Sequence, residues 1–239
     1  MRRLTFHLCL LSTFLVLTLV LTYPLITHIT THVPGSDLWA FDEYTFIWNI
    51  WWFKHALLQL HQSPLSTDFM FYPVGVSLVL YTASWLNAAL ALPLVPYLPL
   101  PFIRNLITLF GFVMSAYGAY LLMKFLILDH GFLIERPNLK SKINSLTLAE
   151  GAAFVAGITY AFASSKFVYA ALGHYSFLNS EWIPFCILYF LKMLARPARR
   201  YGIMAGVFLA LALYVEMTVG VFLALFMGVY VIGARPWRA

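Results

Sequence analysis

The chain is 239 residues long, 62% hydrophobic and only 10% charged, with a mean hydropathy of +0.82 and a formal charge of +6. Soluble domains carry roughly 45–50% apolar and about 25% charged residues, so a soluble globular domain is excluded and a bilayer has to act as solvent. The basic residues gather at the ends of apolar runs rather than on one polar face, which argues against nucleic acid and leaves membrane lipid as the partner.

Arg2 and Arg3 precede an apolar run from Leu4 to Ile26. A secretory signal has an apolar core of about 7–15 residues ending at small residues. This run is longer, and Tyr23-Pro24-Leu25-Ile26 offers no cleavage site, so 4–26 is expected to be an uncleaved first membrane helix. Crossing the hydrocarbon takes about 20 mostly apolar residues. Further spans are expected at 101–127, 148–171, 181–196, 201–217 and 219–234, the last two meeting at a tight connection around Glu216-Met217-Thr218. Residues 78–98 are also apolar, but Pro93, Pro96 and Pro99 break the run. That stretch is expected to form a short surface or re-entrant helix. The expected fold is an all-α integral membrane protein, a single polytopic domain over 1–239 with about six transmembrane helices.

Lysine and arginine favour the cytoplasmic side. With the N-terminus inside and 78–98 not crossing, Arg2, Arg3, Lys124, Arg136, Lys140, Lys142, Lys192, Arg196, Arg199, Arg200, Arg235 and Arg238 all face the cytoplasm. Lys54, Arg104 and Lys166 then lie outside. The expected location is the cell membrane, multi-pass, with a mixed-charge cytoplasmic loop at 128–147. Residues 27–100 become one long external loop holding Asp37, Asp42, Glu43, Asp68 and four of the seven histidines.

That loop opens on turn residues, Val33-Pro34-Gly35-Ser36-Asp37, and continues into a helical stretch from about Asp42 to Leu60. Trp48, Trp51 and Trp52 sit there among Asn49, Lys54, His55 and Gln59, a composition that suits a helix lying in the headgroup plane. With 78–98 it gives the loop two juxtamembrane helices. Asp42 and Glu43 open the first. Acidic residues in a first turn complement the helix dipole. A paired-carboxylate site reads the same residues differently: one carboxylate takes the proton from an acceptor hydroxyl, its neighbour holds a divalent cation such as Mg or Mn, and Asp37 joins them.

An apolar first helix, then a long outer loop with Asp42-Glu43-Tyr44, Tyr72-Pro73-Val74-Gly75 leading to Leu78, and Gly173-His174 before Trp182-Ile183-Pro184 together resemble the GT-C superfamily. These are multi-pass glycosyltransferases that use polyprenyl-phosphate sugar donors, with many bacterial members. The resemblance implies sugar transfer to an acceptor on the external face, with Asp42 as base and Glu43 and Asp37 assisting or binding metal. Arg104, Lys166 and His174 are the candidates to contact the donor phosphate, since Arg presents a planar fork to phosphate. Snorkelling of Arg104 and Lys166 to headgroups is the plainer alternative. GT-C enzymes usually carry more helices and often a soluble C-terminal domain, so the chain reads as the N-terminal part, a truncated relative or a reduced form of one. A non-catalytic assembly or scaffold subunit is the alternative function, and a transporter component ranks below it.

Cys9 and Cys186 lie in apolar runs and read as small packing residues rather than a disulfide or zinc site. Gly111, Ser115 and Gly118, and Gly202 with Gly206, place small residues at helical spacing, which suits close helix packing.

Overall fold

The computed structural model describes residues 2–36, 38–128 and 139–234. Asp37, residues 129–138 of the expected 128–147 loop including Arg136, and the terminal Arg235 and Arg238 therefore lie outside the described residues, while the rest of that loop from Leu139 on is helical rather than a connection. The fold is helical with almost no sheet. The helices, in chain order, are α1 (Arg2–Leu21), α2 (Phe41–Lys54), α3 (Trp85–Ala91), α4 (Leu100–Leu128), α5 (Leu139–Ala161), α6 (Ser164–Ala171), α7 (Tyr175–Leu178), α8 (Trp182–Ala195), α9 (Arg199–Val215) and α10 (Met217–Ala234). Three stretches are long and apolar enough to cross a membrane: Leu4–Leu21, Leu100–Leu128 and Thr147–Ala171. Met217–Gly233 is apolar but shorter. The third stretch is not one continuous rod. Ala163 turns extended, with φ −58° and ψ 146°, between α5 and α6.

The 29 residues of α4 make it the longest of the described helices, about 44 Å at 1.5 Å per residue, and the others are built on it. Helices α1, α5 and α8 all pack along it. Small residues allow this. A Cβ added at Gly118 would stand 2.9 Å from the rings of both Pro184 and Phe185, so α8 rests directly on α4 there. A Cβ on Gly157 would come 2.7 Å from the Ala116 carbonyl, so α5 crosses α4 equally closely. Gly206, by contrast, faces open space. The second sequence pair is not used as the first is. Near the opposite end of α4, Lys124 and Tyr120 both bond the Glu150 carboxylate and tie α4 to α5.

Helix α10 leaves Val221, Phe222, Leu225, Phe226, Val229 and Ile232 exposed, between 47% and 72%. A row of exposed large apolar side chains on one helix suits lipid rather than water as its surroundings.

The described residues between α1 and α4 include helices, turns and a short strand pair. Helix α2 continues through a wider π turn at His55–Gln59, close to the stretch expected from sequence. Its Trp52 is buried, donates its indole N–H to the Pro64 carbonyl at 3.0 Å, and stacks on Trp48 at 5.7 Å. Strands β1 (Ser66–Thr67) and β2 (Val76–Ser77) pair antiparallel, and Asp68 sits in the turn between them. Within 78–98 the helix is α3 alone. Its seven residues cover about 10 Å, too little to cross a bilayer.

One cluster holds α2 and α7 to α4. Phe46 and Ile50 of α2, Ile103, Ile107 and Phe112 of α4, and Tyr175 and Leu178 of α7 are all buried together. Burying a large apolar side chain contributes about 1.5–3 kcal/mol, so this contact fixes α2 and α7 against the first turns of α4.

Candidate functional site

Asp42 and Glu43 are adjacent in sequence and part company in space. Successive residues on an α-helix point about 100° apart, so one of the pair faces outward and the other inward. Glu43 faces inward. Its carboxylate takes a two-pronged ion pair from Arg104 of α4: Nε donates to Oε1 at 2.5 Å and Nη2 to Oε2 at 2.6 Å, with the side chains 0% and 3% exposed. Arg104 also donates to the Thr108 hydroxyl and lies over the Tyr175 ring, 4.5 Å from its centroid. All three guanidinium nitrogens are thus engaged by Glu43 or Thr108, and the Tyr175 ring covers one face. Burial pushes the Tyr175 hydroxyl well above its ordinary value, with Arg104 pulling the other way. That hydroxyl is therefore a neutral group at any physiological pH.

Asp42 faces outward. Its Oδ2 lies 2.8 Å from Nε2 of His174, an ion pair when the imidazole is protonated, with the Asp42 side chain 54% exposed and that of His174 36%. The imidazole is set by its own loop. The His174 backbone N–H donates to the Tyr169 carbonyl at 2.9 Å, and Tyr169, His174 and Phe177 gather as neighbouring rings. The residue before it, Gly173, has φ +75° and packs against the first turn of α2. A Cβ there would meet the Glu43 Cβ and backbone N at 2.9 Å. Gly173→Ala is therefore expected to lower stability by at least ~1–2 kcal/mol, from the left-handed backbone alone, and to push α2 away from the His174 loop. A melting midpoint in detergent equal to wild type would show that this contact is absent.

Lys166 points away from that face. It is 6% exposed, and its ammonium donates to the Ser180 hydroxyl at 2.6 Å and to the Leu178 carbonyl. Around it lies a polar interior. Asn179, Glu181 and Ser115 are buried, and the Asn179 amide, Glu181 Oε2 and Ser115 Oγ lack hydrogen-bond partners. A Cβ on Gly111 would stand 2.9 Å from Asn179 Oδ1 and 3.3 Å from Glu181 Oε2, so these groups converge over that glycine. Buried polar groups without protein partners are ordinarily satisfied by ordered water.

Of the residues expected to act together, then, the structure joins Asp42 to His174 and Glu43 to Arg104, and sets Lys166 in a separate buried network. Asp37 lies outside the described residues. A divalent cation needs several oxygen ligands. Glu43 gives both oxygens to Arg104, which leaves Asp42 and His174, and no group of three or more His, Cys, Asp or Glu gathers among the described residues. The described side chains do not by themselves fit such an ion.

An apolar cleft of about 370 Å³ opens nearby. Leu21, Leu25, Phe112 and Phe167 line it, with His28 and His32 in contact with each other at 5.0 Å. Gly35 and Ala170 close the end towards the His174 loop, where the Ser36 N–H donates to the Ala171 carbonyl at 3.2 Å. Asn105 holds this wall in place by donating to the carbonyls of Ile29 and His32 at 2.8 and 2.7 Å.

Compared with protein-family models, curated proteins and solved structures, the chain matches none.

Proposed function

We propose that this chain is a membrane glycosyltransferase of GT-C type that moves a sugar from a polyprenyl-phosphate donor to an acceptor hydroxyl on the external face. One observation carries the proposal. An exposed carboxylate, Asp42, stands 2.8 Å from an imidazole, His174, on a helix turn whose neighbouring residue is locked into the protein by a buried Glu43–Arg104 pair. A base that must meet a substrate has to be exposed, oriented and mounted on something rigid.

In this reaction the acceptor oxygen attacks the anomeric carbon, and the bond from that carbon to the donor phosphate breaks. The electron pair leaves with the lipid phosphate, and Asp42 takes the acceptor's proton. His174 holds the Asp42 carboxylate by one oxygen and leaves the other free. Its imidazole, at the same surface, is the group placed to meet the donor phosphate. The cleft between α1, α4 and α6 accommodates part of the donor's hydrocarbon. In this arrangement α1, α4, the α5–α6 pair, α8, α9 and α10 cross the membrane, the N-terminus is cytoplasmic, and α2 and α3 lie at the outer surface.

The test is a transfer assay with the full chain in liposomes carrying a labelled polyprenyl-phosphate sugar and its membrane extract as acceptor. Label moving to an acceptor with wild-type protein, and not with Asp42→Asn, supports the proposal. No transfer, together with stable co-purification of a larger protein whose function survives Asp42→Asn, overturns it in favour of an assembly subunit.

A further inference from the structure

A second cavity lies apart from the cleft near the His174 loop. It has a volume of about 730 Å³ and lies between residues 79–86, which lead into α3, and residues 213–218, which join α9 to α10. Phe53 also lines it, and 11 residues of helix separate Phe53 from Asp42, about 16 Å along the axis. Ligand cavities are commonly 300–1,000 Å³ and mostly apolar, with few polar groups that set orientation. This one has an apolar wall with four aromatic residues, Phe53, Tyr81, Trp85 and Tyr214. Phe53 and Trp85 contact each other at 6.0 Å.

Two polar groups of the wall are committed within the protein. The Ser84 hydroxyl accepts from Asn87 at 2.9 Å, and the Thr82 carbonyl accepts from Asn49 at 3.0 Å. Glu216 is different. It is the charged residue lining the cavity, it is partly buried, and among the described residues no ion pair or side-chain hydrogen bond engages its carboxylate. Its backbone is occupied at both ends, the N–H by Ala212 and the carbonyl by Gly220. A carboxylate left half out of water in an apolar wall calls for a positive partner. Among the described residues, no lysine or arginine lines the cavity to supply one.

We infer that this cavity binds an amphiphile with a hydrocarbon body and an ammonium head. The carboxylate of Glu216 forms the charge-assisted contact to the head, and the aromatic rings offer the faces that quaternary and primary ammonium groups favour. A phosphate head is disfavoured by the same carboxylate, which separates this site from one serving a lipid-phosphate donor. The inference stands independently of the transferase proposal.

The experiment uses the full chain in a non-ionic detergent and native mass spectrometry. Three probes with the same ten-carbon chain are titrated below their micelle concentrations: decyltrimethylammonium, decyl maltoside and decyl phosphate. The ammonium probe is expected to bind at least about tenfold tighter than the other two, as a fully formed charge-assisted contact implies. Glu216→Gln is expected to bring the ammonium probe down to the affinity of the neutral one. Ala89→Trp, at an exposed position of the wall, is expected to weaken all three while the protein stays folded. Equal affinity for the three heads would mean that the cavity takes any acyl chain, and would overturn the inference. So would a preference for phosphate, or an ammonium preference that survives Glu216→Gln in protein that is monodisperse and helical.

Discussion

Arg104→Met is expected to lower the stability of the protein by about 3–5 kcal/mol, the usual cost of removing one partner of a buried ion pair. The size of the effect follows from what is left behind. Glu43 would keep a carboxylate inside the cluster formed by Phe46, Ile103 and Tyr175, with both oxygens deprived of donors. Thr108 and the Tyr175 ring would lose their cationic neighbour as well. Glu43→Gln leaves the opposite charge stranded and is expected to cost a similar amount. The double variant Glu43→Leu with Arg104→Met removes both charges and replaces them with apolar side chains of related size. It is expected to recover most of the loss, because well-packed apolar replacements of buried pairs are often neutral or stabilising. The comparison of melting midpoints in detergent for the two single variants and the double separates two roles for Arg104. If Arg104→Met melts with wild type yet abolishes sugar transfer, the guanidinium serves a donor phosphate and the pair with Glu43 is not what holds α2.

How much of this was legible in the sequence depends on the range of the interaction. The helix opened by Asp42-Glu43 could be placed from its own residues, because the acidic start and the aromatic run are local signals, and α2 with its π turn covers 41–59. The division of labour between the two carboxylates was also legible in principle. Neighbours in a helix do not face the same way, so a pair reading Asp42 and Glu43 as one site conflicts with the helix that carries them. The partner of Glu43 was not legible. Arg104 lies 61 residues away, and a guanidinium at the start of an apolar helix looks the same in sequence whether it snorkels or is buried. The same holds for Lys166, which is covered only because the loop through Leu178 and Ser180 folds back over it. The break between α5 and α6 left no proline or glycine to mark it, and the 148–171 run read as one span.

The second large effect concerns Asp42. Asp42→Asn is expected to reduce sugar transfer by about 10²–10⁴-fold, the range contributed by a positioned general base, while leaving the melting midpoint close to wild type. The side chain is exposed, so the substitution removes no buried charge, and the amide keeps the size of the carboxylate beside the imidazole. His174→Gln is expected to cost less, about tenfold, because glutamine keeps a donor near Asp42 but loses the ring that fixes its direction. The order of the two effects decides which group moves the proton. Nε2 of His174 lies 2.8 Å from Asp42, and a carboxylate–imidazole pair can act with either member as base. If His174→Gln is the more damaging variant and Asp42→Asn the milder one, the imidazole takes the acceptor's proton and Asp42 orients it. If neither variant changes transfer while both keep the wild-type fold, the exposed pair is a surface contact and the chemistry lies elsewhere in the molecule. The Glu43–Arg104 pair cannot stand in for Asp42 under that outcome, because a carboxylate 3% exposed with both oxygens bonded to a guanidinium has no lone pair directed at a substrate.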